Sequence, residues 1–112
     1  MANADAVADF FANTVKALGA LDIVLNNAGV GSPLVPLKET DEADYDRLMG
    51  INLKGAWLCM RESLKIMSPA GSGHIINMAS ALSKITFPGA GLYVASKRAG
   101  GGLTHNTAVE YD

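Results

Sequence analysis

The chain has 112 residues, enough for one small domain, and a formal net charge of −2. Hydrophobic residues make up 49% of the sequence and charged residues 18%, which is typical of a folded protein and argues against a disordered one. Charges of both signs are scattered without a basic block, which argues against a nucleic-acid partner.

The first predicted element is an amphipathic helix over residues 3–18. Asn3 suits its N-cap and Gly19 its end. Its apolar residues recur on one helix face, at Val7, Phe10, Phe11, Val15 and Leu18. Residues 21–25 follow at once and are short, branched and largely apolar, the pattern of a strand buried on both faces. A helix followed directly by such a strand predicts an α/β fold with a parallel sheet.

The tetrapeptide Asn26-Asn27-Ala28-Gly29 ends this strand. Asn and Gly tolerate unusual backbone angles, so a plain turn is one interpretation. The ends of parallel strands are also where α/β proteins bind ligands, and small residues there allow a ligand to approach the backbone closely. Residues 31–38 contain two prolines and are predicted to form a loop.

A long helical pattern covers residues 41–67, and Thr40 is the expected N-cap before an acidic first turn. Gly50 and Gly55 flank Asn52, which predicts a kink or break at this point. Asn52 falls within the apolar stripe of the helix. A buried asparagine satisfied by backbone groups is the simplest interpretation of that position, although it is an unusual one.

Pro69 is predicted to end this helical pattern, and residues 70–73 form a tight, flexible connector. Residues 75–78 are apolar and are predicted to form a second strand. Because a helical crossover joins the two predicted strands, they should pair in parallel, as in a βαβ unit.

The last predicted helix begins at about Leu92 and runs towards Tyr111. It contains three consecutive glycines, residues 100–102, and each costs about 1 kcal/mol relative to Ala in a helix interior. Close packing against another helix is the simplest compensation. A flexible or imperfect helix is the alternative.

Three polar residues in or near this helix suggest a catalytic site. Ser80 lies at the exit of the second strand, Tyr93 lies in the first helical turn, and Lys97 follows four residues later on the same face. A Tyr hydroxyl titrates near pH ~10, and a nearby ammonium and the positive helix end both favour the phenolate and lower that pKa. Ser80 could donate to the same substrate oxygen. The set predicts proton transfer to or from a hydroxyl or carbonyl, although for the Tyr-Lys pair alone an exposed helix-face pair is the preferred interpretation.

Cysteine and histidine usage gives no sign of a disulfide or a metal site. Cys59 is the single cysteine and is expected to pack in the core. His74 and His105 are far apart in sequence and are read as structural or surface residues. The sequence shows no secretory signal and no apolar run long enough to span a membrane, so a reducing, cytoplasmic setting is the expectation, with no membrane partner.

Four features together resemble the short-chain dehydrogenase/reductase family in order and spacing. They are Asn26-Asn27-Ala28-Gly29 after a strand, Asn52 in its helix, Ser80 after the next strand, and Tyr93 with Lys97 opening the last helix. The resemblance covers essentially the whole chain. It implies a partial Rossmann-like, doubly wound parallel sheet, with residues 1–112 as the central part of a single catalytic domain truncated at both ends.

The resemblance also implies roles for individual residues. Tyr93 would be the general acid/base, and Ser80 would orient the substrate oxygen. Lys97 would lower the pKa of Tyr93 and bond the nicotinamide ribose, and Asn52 would complete a proton relay through water. The residues expected to bind the cofactor, NAD or NADP, are Asn26, Ala28, Gly29, Tyr93 and Lys97. The residue that would select between the two cofactors is expected outside this sequence.

One departure from the family pattern concerns the cofactor. No Gly-rich turn of the kind that holds a pyrophosphate occurs, because the closest stretches, residues 29–31 and 71–73, lack the third glycine. The leading hypothesis is an NAD(P)-dependent oxidoreductase acting on a small-molecule alcohol or ketone, homo-oligomeric when complete, with this piece inactive alone. The alternative is a non-catalytic Rossmann-like binding or assembly element.

Overall fold

The computed structural model describes residues 3–111. This part of the chain contains four α-helices, one π-helical segment and two strands. In chain order they are α1 (Ala4–Leu18), β1 (Ile23–Asn26), α2 (Glu42–Met49), the π-helical segment (Gly50–Lys54), α3 (Gly55–Ala70), β2 (His74–Asn77) and α4 (Gly91–Glu110). Two short 3-10 turns, Leu37–Glu39 and Ala81–Ser83, lie in the loops.

Helix α1 forms as predicted, with the expected residue at each end. The Asn3 side chain accepts a hydrogen bond from the Ala6 amide at 2.9 Å, which satisfies one amide of the first turn. Gly19 adopts a left-handed conformation with φ of 87°, and its N–H donates to Val15 O. The predicted N-cap and C-terminal glycine are therefore confirmed.

The two strands pair in parallel, as the helical crossover between them predicts. The register joins Ile23 to His74 at one end and Asn26 to Asn77 at the other. Helices α2 and α3 and the π-helical segment make the crossover. Each strand begins and ends within two residues of its predicted limits.

The hydrophobic core lies between α1, α3 and one face of the sheet. Val7 and Phe11 from α1 pack against Leu58 and Cys59 from α3. Val24 of β1 contacts this cluster from the sheet. Burial raises the pKa of the Cys59 thiol, because the thiolate would lose its hydration there. The predicted packing role of Cys59 is confirmed.

The opposite face of the sheet is open, so the expectation of strands buried on both faces is wrong for this chain. Ile23 and Leu25 are 64% and 55% exposed, and Ile76 of β2 is 51% exposed. Within residues 3–111, helices α1, α3 and α4 all contact the other face, through Val24 and Asn77 among others. The result is a slab of 47 × 27 × 17 Å with one helical layer on the sheet.

Two predicted helix limits are wrong. Asp41, and not Thr40, caps α2, because its carboxylate accepts from the Asp44 amide at 2.8 Å. The Thr40 hydroxyl donates instead to Leu37 O and closes the preceding 3-10 turn. Helix α3 also continues through Pro69 to Ala70 and ends at Gly71, which has a left-handed φ of 73°. Proline removes only one backbone donor in this last turn, so the helix tolerates it.

The predicted kink near Asn52 is confirmed and is a π-helical segment. The Gly55 amide bonds back to Gly50 O, one residue further than in an α-helix. One additional residue in the turn rotates the side chains that follow it relative to a regular helix, and such insertions occur frequently at functional sites. Asn52 lies at the centre of this segment and is 6% exposed.

Helix α4 is continuous through residues 100–102, and the interpretation of close helix packing at these glycines is wrong within the described chain. A Cβ placed on Gly100, Gly101 or Gly102 would meet no atom within 4 Å. The helix is unbroken from Gly91 to Glu110, so the alternative of an imperfect helix is not what forms, and that of a flexible helix stays a prediction. Within residues 3–111, no neighbouring helix approaches these three positions closely enough to require glycine.

The described residues, 3–111, include no helix that is both long and apolar enough to cross a membrane. Over the same residues, no three His, Cys, Asp or Glu side chains come together in a way that could hold a metal ion.

Candidate functional site

Both strands end at the same edge of the sheet, and hydrogen bonds tie that edge to α4. Asn26 Nδ2 donates to Asn77 Oδ1 at 2.8 Å, directly across the last residue pair of the register. Asn77 Nδ2 donates in turn to Thr104 Oγ1 at 2.9 Å. These bonds hold the strand ends against the middle of α4, and the first turns of α4 meet the loops that leave the strands.

A cleft of about 430 Å³ opens at this meeting point. Tyr93 and Lys97 line it from α4. The loop after β1 and the loop after β2 form the rest of the wall, with contributions from Asn27, Gly29, Val30, Leu34, Met78 and Leu82 among others. The cleft lies outside the carboxyl ends of parallel strands, the usual position of ligand sites in α/β folds.

Tyr93 and Lys97 face this cleft together, as their spacing predicts. The Lys97 ammonium lies 5.7 Å from the centroid of the Tyr93 ring, within the range of a cation–π contact. Lys97 Nζ also donates to Met78 O at 3.3 Å, which anchors the lysine to the exit of β2. Since Gly91 is the first residue of α4, Tyr93 lies in the first helical turn, where the backbone amides are still unpaired and the helix end is positive.

Gly29 keeps the floor of the cleft open beside the lysine. A Cβ on this residue would lie 3.4 Å from Asn52 Oδ1 and 3.5 Å from Lys97 Nζ. Any longer side chain would occupy the space in front of the Lys97 ammonium. The predicted close approach of a ligand to the backbone is therefore sterically possible at Gly29.

The other two residues predicted to bind cofactor from this segment lie elsewhere. Asn26 and Ala28 line a separate cavity of about 270 Å³ near α1, together with Phe10 and Phe11. Asn27, which was not among the predicted residues, lines both this cavity and the cleft, whereas Gly29 lines only the cleft. The tetrapeptide therefore lies between the two cavities.

The Asn52 side chain supports the part of the cleft wall that the loop after β1 forms. Its Oδ1 accepts from the Val30 amide at 2.7 Å, and its Nδ2 donates to Val30 O at 2.9 Å and to Ser96 Oγ at 3.2 Å. The interpretation of a buried asparagine satisfied by backbone groups is confirmed. Both hydrogens of its side-chain amide are engaged, while Oδ1 accepts a single hydrogen bond and can accept another. A relay role for Asn52 stays a prediction.

Ser80 is half-buried and caps the 3-10 turn Ala81–Ser83. Its Oγ accepts from the Leu82 amide at 3.2 Å, and Ser83 Oγ accepts from the Ser80 amide at 3.2 Å. Since Ser80 Oγ is an acceptor in this capping box, its hydroxyl hydrogen remains free to donate. The cleft is lined by its neighbours Ala79 and Leu82, and Ser80 itself is not in contact with it.

A backbone contact joins the two loops beside the cleft. The Val35 amide donates to Gly89 O at 3.1 Å. Gly89 has a φ of 84°, and a Cβ there would lie 3.1 Å from backbone atoms of Leu34 and Val35. Glycine is required at this position for its backbone conformation and for the close approach.

Sequence reasoning did not identify Ser96, Asn77 or Thr104, all of which join elements around the site. Ser96 is 1% exposed, and its hydroxyl links Asn52 to Tyr93 O. No sequence signal distinguishes Ser96, because a residue three positions after Tyr93 is expected on the same helix face as Tyr93.

Comparison with known proteins agrees with this arrangement. A family model described as short chain dehydrogenase matches residues 1–112. A 3beta-hydroxysteroid dehydrogenase from Mediterraneibacter gnavus is 39% identical over 111 residues, which are 99% of this chain and 40% of that protein. A secoisolariciresinol dehydrogenase from Forsythia intermedia is 40% identical over 109 residues, 96% of this chain and 39% of that protein.

A solved structure of ElxO with NADP bound superposes with a TM-score of 0.95 at 34% identity. The superposition covers 98% of this chain and 44% of that one. The chain thus spans about 40% of the length of the curated relatives described above.

Proposed function

The chain belongs to the short-chain dehydrogenase/reductase family, and on that premise we propose that it carries the proton-transfer centre of an NAD(P)-dependent oxidoreductase. The reaction interconverts a hydroxyl and a ketone on a small molecule. Residues 1–112 are the central part of a single Rossmann-like catalytic domain in this proposal. The relatives' names, a hydroxysteroid dehydrogenase and a secoisolariciresinol dehydrogenase, support an alcohol or ketone substrate.

The observation that carries the proposal is the shared orientation of Tyr93 and Lys97 towards one cleft. In this proposal the Tyr93 hydroxyl gives a proton to the substrate oxygen in reduction and takes it back in oxidation. The Lys97 ammonium, which lies 5.7 Å from the centroid of the Tyr93 ring, places a positive charge beside this centre. Ser80 donates its free hydroxyl hydrogen to the same substrate oxygen in this proposal, which requires its side chain to turn towards the cleft, because Ala79 and Leu82 line the cleft and Ser80 does not.

The cleft fits a nicotinamide cofactor on steric and hydrogen-bonding grounds. Gly29 leaves open space in front of Lys97, where an added Cβ would already contact the ammonium. Lys97 uses one of its three N–H donors on Met78 O, so two remain for the hydroxyls of a ribose. When bound, the cofactor supplies or accepts the hydride. In this proposal Asn26 and Ala28 support the wall of the cleft from the side of the neighbouring cavity. The cofactor is either NAD or NADP.

The direct test is turnover by the full-length protein. Purified protein is mixed with NADH or NADPH and a panel of cyclic and open-chain ketones, and loss of the reduced cofactor is followed by absorbance. We expect turnover with at least one ketone, and none in a Tyr93→Phe sample prepared in parallel. Cofactor binding without turnover of any ketone would favour the alternative, a non-catalytic binding or assembly element.

We further propose that the complete enzyme is a homo-oligomer built on the crossover helices and α4. A groove of about 830 Å³ runs between them, and its lining is mostly apolar, with Tyr45, Met49, Leu53, Trp57, Gly102 and Leu103 among the residues. Trp57 is 41% exposed and Tyr45 49% exposed on this surface. Aromatic side chains of this kind are enriched at protein interfaces.

The oligomer proposal predicts that Trp57→Glu converts the full-length protein to a smaller species. The substitution removes a large apolar side chain from the groove and introduces a carboxylate that would lose its hydration in an apolar interface. Sedimentation or light scattering at micromolar concentration measures the change. Leu18→Glu, at a 76% exposed position on α1, is the matched control and should keep the wild-type mass. A wild-type monomer at that concentration would contradict the proposal.

For the 112-residue chain on its own, we expect negligible binding of NAD(P)H, no turnover, and self-association. Much of dinucleotide affinity in such folds comes from a pyrophosphate held at a glycine-rich turn, which the sequence does not contain. Ile23, Leu25 and Ile76 expose apolar surface on the open face of the sheet, beside unpaired strand edges. Fluorescence titration and a thermal melt test both points. Micromolar cofactor binding with a cooperative melt would overturn the expectation.

A further inference from the structure

Ser96 lies between Tyr93 and Lys97 in α4 but points away from the cleft. A helix turns about 100° per residue, which places Ser96 roughly 60° from Tyr93 and 100° from Lys97 around the axis. Ser96 is 1% exposed and is not among the residues that line the cleft. Its hydroxyl donates to Tyr93 O at 2.8 Å and accepts from Asn52 Nδ2 at 3.2 Å.

Asn52 extends this set of hydrogen bonds from Ser96 to the loop that forms the wall of the cleft. Its side chain holds the Val30 peptide groups from both sides, with bonds of 2.7 and 2.9 Å to the Val30 amide and carbonyl. Such a two-point attachment fixes the orientation of the backbone as well as its distance. Its Oδ1 also lies 3.4 Å from the position a Cβ would take on Gly29. Hydrogen bonds thus connect α4, the π-helical segment and the loop after β1 in one buried chain.

A serine hydroxyl is needed at this point because it is a donor and an acceptor at once. Alanine is neither, so in Ser96→Ala the second amide hydrogen of Asn52 would be buried without an acceptor. An unsatisfied buried donor costs more than an ordinary hydrogen bond contributes, which favours a shift of the Asn52 side chain. Because Asn52 is bonded to Val30, such a shift would move the wall of the cleft.

We propose that Ser96 is a positioning residue that acts through Asn52 to fix the Gly29–Val30 wall of the cleft relative to Lys97. Ser96 touches neither substrate nor cofactor in this arrangement. Its effect appears in cofactor affinity, because the wall it holds is the surface against which the cofactor lies. The inference rests on the proposed function, which assigns that wall to the cofactor.

The chain offers a matched control in Ser63. This residue is fully buried, and its hydroxyl donates to Cys59 O at 2.6 Å within its own helix. Ser63→Ala therefore removes the same atom from a buried helical serine without cutting a bond between elements. A purely structural role for Ser96 predicts that the two alanine variants behave alike.

The experiment is a fluorescence titration of the full-length protein with NADPH and with NADH, which measures affinity independently of turnover. For whichever cofactor the wild-type protein binds, we expect Ser96→Ala to raise the Kd about tenfold. This is equivalent to a loss of about 1.4 kcal/mol of binding free energy. Ser63→Ala should keep wild-type affinity. Ser96→Thr, which retains the hydroxyl, should restore most of the affinity lost in Ser96→Ala. If Ser96→Ala does not fold, Ser96→Cys is titrated in its place, since the thiol keeps the volume but is a weak donor and acceptor.

A double-mutant cycle with Asn52→Ala tests whether Ser96 acts through Asn52. In the Asn52→Ala background, Ser96→Ala should change cofactor affinity very little. An additive loss, or wild-type affinity in Ser96→Ala alone, would overturn the inference while leaving the proposed function intact. Failure of the wild-type protein to bind either cofactor would instead refute the proposed function, and the inference with it.

Discussion

Replacement of Tyr93 by phenylalanine is expected to lower turnover of the full-length enzyme by about 10²–10⁴-fold, the usual contribution of a general acid or base. The substitution removes one oxygen atom and keeps the ring that faces the Lys97 ammonium. Cofactor affinity should therefore remain close to wild type, because Lys97 stays bonded to Met78 O and the open space at Gly29 is unchanged.

Steady-state turnover and cofactor titration on the same preparations separate these two effects. Tyr45→Phe is the matched control, since Tyr45 lies on α2, is 49% exposed and does not line the cleft. It should turn over at the wild-type rate. A Tyr93→Phe enzyme with near-normal turnover would exclude Tyr93 as the proton donor and acceptor.

The largest expected effect on stability comes from Leu58→Ala. Leu58 is 1% exposed and packs with Val7, Phe11 and Cys59 between α1 and α3. Removal of a buried leucine side chain typically costs about 2–5 kcal/mol, as lost transfer free energy plus the cavity left behind. Small domains have only about 5–15 kcal/mol of total stability, so this change should remove a large part of it.

Urea unfolding followed by circular dichroism measures the free energy of unfolding in each variant. Leu18→Ala, the same substitution at a 76% exposed position, is the control and should change stability by about 0.5 kcal/mol or less. Equal losses in the two variants would mean that the α1–α3 contact is not the core. The measurement is made on full-length protein, so that self-association of the open sheet face does not obscure it.

The elements predicted correctly are those determined by local interactions. The limits of α1 follow from a side-chain cap at Asn3 and a left-handed glycine at Gly19, both of which act within one helical turn. The parallel pairing of β1 and β2 follows from the crossover helix between them. The kink at Asn52 could be placed from its flanking glycines, but its π-helical form could not. That form comes with the bonds of Asn52 to Val30 and Ser96, residues 22 and 44 positions away in sequence.

The predictions that failed concern surfaces whose partners are not local. The largely apolar run of residues 21–25 indicates that both faces of the strand suit burial, but it does not show which face the chain itself covers. The glycines at 100–102 likewise indicate a surface that permits close approach, although nothing in residues 3–111 lies against it. In both cases the residue types carry information about contacts that this chain does not make with itself.

The arrangement of the candidate site was predicted in part, because the residues proposed to transfer the proton have a distinctive spacing and the residues that support them do not. Tyr93 and Lys97 lie one turn apart, which brings them to one face of a helix from sequence alone. Ser96 and Thr104 are small polar residues in the same helix, and such residues are common on exposed helix surfaces. Only the tertiary structure shows that Ser96 is bonded to Asn52 and that Thr104 is bonded to Asn77.

The backbone amide and carbonyl of Met78 connect the sheet to Lys97. Exchange of the Met78 amide hydrogen can therefore report on the position of Lys97. The Met78 amide donates to Asn26 O at 3.0 Å, while its carbonyl accepts from Lys97 Nζ at 3.3 Å. Local opening of the strand ends must therefore break the first bond and displace the acceptor of the second. Amide hydrogen exchange at this single residue would measure how often the lysine loses its anchor. Slower exchange at Met78 on addition of cofactor would show that ligand binding and closure of the strand ends are thermodynamically linked.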